Sequence, residues 1–262
     1  MNLKKTWSMK NGKEEVITRD NSAMSMMAVD MVNLNAGESV SWDEKGWEYG
    51  IIVLGGTCDI IGDGFDFKNV GKRKDVFDGP AACVYVPCCT KFSIKAITNV
   101  KAAVCKADGA PGFKPEYVKP EDVIIKDLGK EGWCRQAHFI LDERVKANRI
   151  YIGEAFVKGG MWASYPPHKH DVDNMPTEGL LEEIYYYEFK KPQGFGIQKV
   201  YAADRSFDET YTVKNADLVE IPKGYHPFHT APGYDNYYLW IMAGKNRGFF
   251  MTTDPDHLWL TK

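Results

Sequence analysis

Short apolar runs broken by turn residues recur along the whole chain, and amphipathic helical repeats are scarce. The run Tyr49-Gly-Ile-Ile-Val-Leu54 leads through Gly55-Gly56 to Cys58-Asp-Ile-Ile61, which predicts a hairpin. Residues 82–87, 92–97 and 100–105 follow as further strands, and the Gly- and Pro-rich stretch 107–115 reads as a linker. A second series then begins, with its strongest strands at 149–157, 184–189, 195–201, 218–222 and 237–242. The two series echo each other. Ala82-Cys-Val-Tyr-Val-Pro87 and Asp217-Leu-Val-Glu-Ile-Pro222 are both apolar runs ending in proline, and 53–56 and 189–194 both read as hairpin tips. Many short strands in two similar series predict an all-β chain of two jelly-roll barrels fused in tandem. The expected division is 1–110 for the first barrel, 111–125 for the linker and 126–262 for the second.

Composition agrees with such a core: of 262 residues, 44% are hydrophobic and 13% aromatic. Net charge is −3 and the Lys and Arg residues are scattered, so nothing marks a nucleic-acid surface. Met1-Asn-Leu-Lys-Lys-Thr-Trp7 has no apolar run behind its lysines, which does not read as a secretion signal. No apolar stretch approaches the ~18 residues of a membrane span, and the expected location is the cytoplasm. The six cysteines show no zinc-ribbon spacing, and the adjacent Cys88-Cys89 is awkward for a disulfide framework. They read as buried free thiols, mostly outside the histidine-bearing half.

All six histidines lie in the second half of the chain. In Tyr165-Pro-Pro-His-Lys-His-Asp171, an extended backbone would put His168 and His170 on one face and Lys169 on the other. Two neutral imidazoles so placed can chelate a divalent metal. In Glu182-Glu-Ile-Tyr-Tyr-Tyr-Glu-Phe189 the same alternation groups Glu183 with Tyr185 and Tyr187 and turns Glu182 away. With Ile184 and Tyr186 against an apolar layer, Glu183 becomes an interior carboxylate that needs a cation or a hydrogen-bond network. His226 and His229 both follow in Pro222-Lys-Gly-Tyr-His-Pro-Phe-His229; their spacing puts them on opposite faces of a strand, and His226 is taken as the fourth ligand, with His229 the alternative. The expected metal set is His168, His170, Glu183 and His226, around Zn, Mn, Fe, Ni or Co. His138 and His257 have no such companions and read as packing or surface residues.

These strings also carry a resemblance. Trp162-Ala-Ser-Tyr-Pro-Pro-His-Lys-His-Asp171, Glu182-Glu183, Gly224-Tyr-His-Pro227, Pro232-Gly-Tyr234, Tyr237-Tyr-Leu239, Met242-Ala-Gly244 and Asp254-Pro-Asp-His-Leu-Trp259 resemble the 5-deoxy-glucuronate isomerase family of inositol catabolism. That family belongs to the bicupin group shared with the 5-keto-4-deoxyuronate isomerases. Gly71-Lys-Arg-Lys-Asp-Val-Phe-Asp-Gly-Pro80 and Val84-Tyr-Val-Pro87 extend the likeness to the first half. One departure lies beside the expected metal: the family reads Gly-Asn-Trp-Ser-Ser where this chain has Gly160-Met-Trp-Ala-Ser164.

The resemblance implies a tandem double-stranded β-helix and metal-dependent aldose–ketose isomerisation of an open-chain deoxy-uronate, 5-deoxy-glucuronate to 5-dehydro-2-deoxy-gluconate. Glu182, Tyr185 and Tyr187 are then the acid–base candidates. The sugar carboxylate calls for an arginine fork, with Arg247 first and Arg135 second, and Gln198 is placed to meet a sugar hydroxyl. The partner is a small sugar acid, with no nucleic acid and no membrane, and β-rich edges favour a homo-oligomer. Two other classes share the donor set. An oxygen-activating cupin dioxygenase would consume dioxygen, and a non-catalytic sugar-binding cupin would hold metal without turnover.

Overall fold

In the computed structural model, which describes residues 2–262, the apolar runs are strands and the only helical elements are the short 3-10 turns Pro120–Asp122 and Pro255–Thr261. Among the described residues no helix is long and apolar enough to cross a membrane. The front barrel faces a six-stranded sheet against a four-stranded one. The larger sheet runs Glu116–Val118, Ala82–Val86, Trp47–Gly55, Val100–Asp108, Met27–Leu34 and Gly12–Ile17. The smaller runs Ser39–Trp42, Phe92–Ala96, Cys58–Gly62 and Phe65–Val70.

The rear barrel repeats the order. Its large sheet runs Lys4–Thr6, Asp217–Ile221, Glu178–Phe189, Asn236–Gly244, Ile150–Val157, Arg135–Leu141 and Ile124–Leu128. Its small sheet runs Trp162–Ala163, Phe228–Thr230, Gly196–Tyr201 and Asp208–Val213. Two jelly rolls with one strand order make the fold a bicupin, as the paired series of strands predicts.

Two local expectations change. Trp47–Gly55 and Cys58–Gly62 do not pair as a hairpin; they belong to different sheets. Gly56, at φ +91°, turns the chain around the barrel edge, where a side chain would strike the carbonyl of Asn99. The 189–194 turn is the equivalent corner, joining Glu178–Phe189 to Gly196–Tyr201. The stretch 111–125 carries backbone pairing of its own: Glu116–Val118 lies against Cys83–Tyr85, and Ile124 begins the rear sheet's edge strand. Lys4–Thr6, at the other end of the chain, pairs with Asp217–Val219 of the rear barrel.

The two large sheets pack back to back through one continuous core that includes Met31, Ile52, Leu54, Ile152, Ile184 and Tyr186. Gly50 permits the close approach, because a Cβ there would overlap the side chain of Ile152. A buried ion pair bridges the same interface: Arg73 donates to Glu154 at 2.6 and 3.2 Å, and the Tyr237 hydroxyl donates to the same carboxylate at 2.8 Å. Each barrel also encloses its own apolar interior.

Candidate metal centre

The central strand Glu178–Phe189 of the rear barrel sets the site by simple alternation. Ile184 and Tyr186 enter the core between the sheets, while Tyr185 and Tyr187 enter the rear barrel. Glu183 faces the barrel interior with the tyrosines. Glu182 points the other way, where its carboxylate accepts hydrogen bonds from the backbone N–H groups of Ser25 (2.8 Å) and Met26 (2.8 Å). It anchors the 25–26 turn and lies outside the cavity, so it is removed from the acid–base candidates.

His168–Lys169 forms a short extended pair with Thr252–Thr253, and alternation again decides the faces. Lys169 turns away from the cavity to the buried Glu178 at 2.7 Å, and His168 and His170 face the cavity. His226 arrives from the turn after Asp217–Ile221. Each imidazole spends its Nδ1 on a backbone carbonyl: His170 on Leu181 at 2.8 Å, His226 on Gly224 at 2.9 Å, and His168 on Pro166 at 3.3 Å. Donation through Nδ1 fixes the tautomer and leaves the Nε2 lone pairs for a ligand. The Nε2 atoms of His170 and His226 stand 3.0 and 3.1 Å from Glu183 Oε2. Donor atoms of His170, Glu183 and His226 all lie within 4.8 Å of one another. His168 lines the same cavity outside that trio, its ring 4.9 Å from the ring of His226.

The electrostatics suit a cation. Burial alone would raise Glu183, but the imidazoles of His226 and His170 hold its carboxyl down at about 2. Burial, with the nearby charges of His226, His170 and Arg135, pushes His168 well below the usual histidine range, so its ring is neutral. For His170 burial works downward, but the Glu183 carboxylate outweighs it and raises the imidazole. His226 Nε2 is fully buried and makes no hydrogen bond, despite its 3.1 Å approach to Glu183. An orphaned buried nitrogen beside an ionised buried carboxylate costs free energy unless a further positive partner is present. The donor set therefore fits a divalent metal.

The cavity in front of these groups has a volume of about 170 Å³. Arg135 and Ser164 line it with His168, His170, Glu183 and Tyr185, and Phe139, Trp240, Phe249 and Met251 form apolar walls. Tyr185 and Ser164 share a 2.7 Å hydroxyl–hydroxyl bond. Burial, and next the Glu183 charge, push the Tyr185 phenol well above its usual range, so it carries its proton. The Arg135 guanidinium makes no hydrogen bond or ion pair to the protein among the described residues, although its backbone pairs in the sheet. A larger cavity of about 590 Å³ meets this one only at Arg135 and lies toward Gln136 and His138.

Other expected contacts are displaced. Arg247 donates to the carbonyls of Val145 (2.6 Å) and Asp142 (2.5 Å) and stacks over Tyr151, so it clamps a loop. Gln198 is fully buried, donates to the carbonyl of His226 at 2.9 Å and accepts from Tyr187 at 2.6 Å. Gln198 and Tyr187 thus brace the His226 turn and present no group to a sugar. His229 packs on Trp162, ring centroids 4.9 Å apart, away from the ligand trio. Ser164, Tyr238 and Trp240 are site residues that sequence reasoning missed. Period-two alternation from Met242 back along its strand would have found the last two.

Twin barrels, with histidines and a carboxylate converging inside one of them, define a bicupin with a candidate metal site. Among solved structures, an IolB-like protein from Salmonella typhimurium LT2 superimposes with a TM-score of 0.96 at 35% identity, over 100% of both chains. The 5-deoxy-glucuronate isomerase of Geobacillus kaustophilus is 38% identical over 93% of this chain and 89% of its own. The fold alone is shared with Bacillus subtilis oxalate decarboxylase, studied for its Mn(II) centres, at a TM-score of 0.66 and 15% identity over 96% of this chain and 79% of that one. The chain belongs to the KduI/IolB family, whose pattern it matches across residues 3–260. It is an enzyme of the isomerase class.

Proposed function

We propose that the chain is a metal-dependent aldose–ketose isomerase that converts open-chain 5-deoxy-glucuronate to 5-dehydro-2-deoxy-gluconate. The observation that carries this reading is the convergence of buried His170, Glu183 and His226 near Arg135, whose guanidinium has no hydrogen-bond or ion-pair partner among the described residues. His168, His170, Glu183 and His226 would hold the ion, and nitrogen and oxygen donors of this kind suit Zn, Mn, Fe, Ni or Co. When bound, the ion supplies Lewis-acid stabilisation of the negative charge that develops on oxygen as a carbon-bound proton leaves.

The chain's own residues do the rest. Arg135 takes the sugar carboxylate, for which a guanidinium fork offers two parallel hydrogen bonds. Tyr185, protonated and oriented by Ser164, donates its hydroxyl hydrogen to a substrate oxygen. Phe139, Trp240, Phe249 and Met251 keep water from the reacting atoms. The rear barrel, within the 126–262 unit, carries the chemistry, and the front barrel serves as its structural counterpart.

The test couples elemental analysis of the purified protein to anaerobic NMR of 5-deoxy-glucuronate. Conversion that stops on chelation and returns with one of the five ions is the expected result. Full-rate conversion by metal-free protein, or no conversion by any loaded form, would overturn the reading.

A further inference from the structure

We propose that Cys88 and Cys89 form a reactive vicinal dithiol, a modification site that a hydroperoxide converts into an intramolecular disulfide. The pair occupies the turn after Ala82–Val86, on the front barrel and away from the metal cavity. The two sulfurs stand 3.1 Å apart, about one ångström beyond a disulfide bond length of roughly 2.05 Å. Their surroundings differ in a way that assigns roles. Cys89 is exposed, on a backbone with φ +66°, whereas Cys88 is buried, 8% exposed.

The exposed sulfur is also the more acidic one. A hydrogen bond from the Cys88 thiol, another from the Gly46 backbone and the nearby Lys45 charge hold Cys89 below the ordinary thiol value. Burial pushes Cys88 upward. Thiolate character and access together select the reacting sulfur. Cys58, Cys83 and Cys105 are buried and lack the access, and exposed Cys134 has no second thiol in contact among the described residues.

The chemistry balances in two steps. The Cys89 thiolate attacks one oxygen of the hydroperoxide, an S–O bond forms as the O–O bond breaks, and the departing alkoxide takes a proton from solvent to leave as the alcohol. The Cys88 sulfur then attacks the sulfenic sulfur of Cys89. The S–S bond forms, the S–O bond breaks, and the hydroxyl leaves as water with the Cys88 proton. One hydroperoxide is consumed and two electrons pass from the two thiols. A disulfide between neighbouring residues closes a small ring at an exposed site, so a dithiol reductant should open it readily.

The experiment treats the full-length protein with one equivalent of hydrogen peroxide per chain and maps thiols by peptide mass spectrometry. Phenylarsine oxide, which bridges two close thiols, serves as an independent probe. Expected are paired loss of the Cys88 and Cys89 thiols in one peptide, recovery with dithiothreitol and protection by phenylarsine oxide. Cys88→Ser should stop at a sulfenic acid trapped by dimedone, and Cys89→Ser should slow reaction of the remaining thiol at position 88 at least about tenfold. The proposal is overturned if wild-type Cys89 passes to sulfinic acid while Cys88 stays reduced. It is overturned equally if Cys134 is the main site of loss, or if Cys89→Ser reacts at the wild-type rate.

Discussion

Arg135→Ala gives the sharpest test of the proposed substrate site, because the structure separates its functional effect from any structural one. The guanidinium lines the cavity beside His168 and Ser164 yet bonds to nothing in the protein among the described residues, so its removal leaves no orphaned partner. A full charge about 4 Å from a carboxylate at an effective dielectric near 20 is worth roughly 4 kcal/mol. Because the group is only half-buried, solvent screening lowers this toward the about 1.5–3 kcal/mol typical of hydrogen bonds to charged groups. That range converts to roughly a 10- to 150-fold loss in kcat/KM. The assay is initial rates by NMR for 5-deoxy-glucuronate and for its methyl ester, with thermal melts in parallel. The expected pattern is the full loss on the acid, little on the ester, and an unchanged Tm. Arg247→Ala supplies the contrast: its bonds to the Val145 and Asp142 carbonyls predict a lower Tm. Equal losses on acid and ester would refute the assignment of Arg135, as would a wild-type rate on the acid.

Three further outcomes follow from the same geometry. His170→Ala or Glu183→Ala should lower metal affinity more than about 100-fold, since even groups behind the ligands are worth roughly 10–100-fold; metal per chain by elemental analysis with circular dichroism for folding checks this, and wild-type stoichiometry in both variants contradicts it. Glu182→Ala should cost about 2–4 kcal/mol in denaturant unfolding, by orphaning the Ser25 and Met26 N–H groups, while metal content stays at the wild-type level. Glu154→Gln should cost roughly 3–5 kcal/mol, because it leaves the Arg73 guanidinium buried without its counter-charge. Burial would raise Glu154, yet Arg73, with His138 and Tyr237, holds its carboxyl below the usual value. Its stabilisation is therefore complete above the unfolded glutamate value of about 4.3 and is lost as pH falls through the lower folded value, so the wild-type advantage over Glu154→Gln should shrink in acid.

What the sequence disclosed were the features governed by local geometry. A strand has period two, so the faces of Glu182 and Glu183, or of Lys169 and its flanking histidines, follow once an extended backbone is recognised. The same rule put His226 and His229 on opposite faces but could not say which face was interior; that depends on the Gly224 turn and on Gln198 gripping the His226 carbonyl. Arg247, Gln198 and the Gly55-Gly56 corner were misread for a related reason. Arg247 follows a conspicuous motif, but its partners, the carbonyls of Val145 and Asp142, lie about a hundred residues earlier in the chain. A glycine pair between two apolar runs has the same local signature whether the runs pair or part. Only closure of the barrel sends Cys58–Gly62 to the opposite sheet.

The contrast between two barrels of one strand order explains how this chain tolerates a polar cavity. In the front barrel the interior is filled: Trp42 stacks on Phe92 with centroids 4.9 Å apart, and the interior charges Lys106 and Asp30 neutralise one another at 3.0 Å. Asp30 further accepts the Trp42 indole N–H at 2.7 Å. In the rear barrel equivalent space is given to imidazoles, a carboxylate and a cavity, groups whose burial opposes folding. The strand that bears them is held from behind. Ile184 and Tyr186 lock into the core shared with the front sheet, and Glu183 and Tyr185, interleaved with them, have little freedom to move. Rigid support of this kind presents ligands at fixed spacing before any ion arrives, which lowers the reorganisation that binding and catalysis would otherwise require. The front barrel thus supports the rear cavity from behind, through the shared core, the Arg73–Glu154 pair and the Ser25 and Met26 N–H groups that hold Glu182.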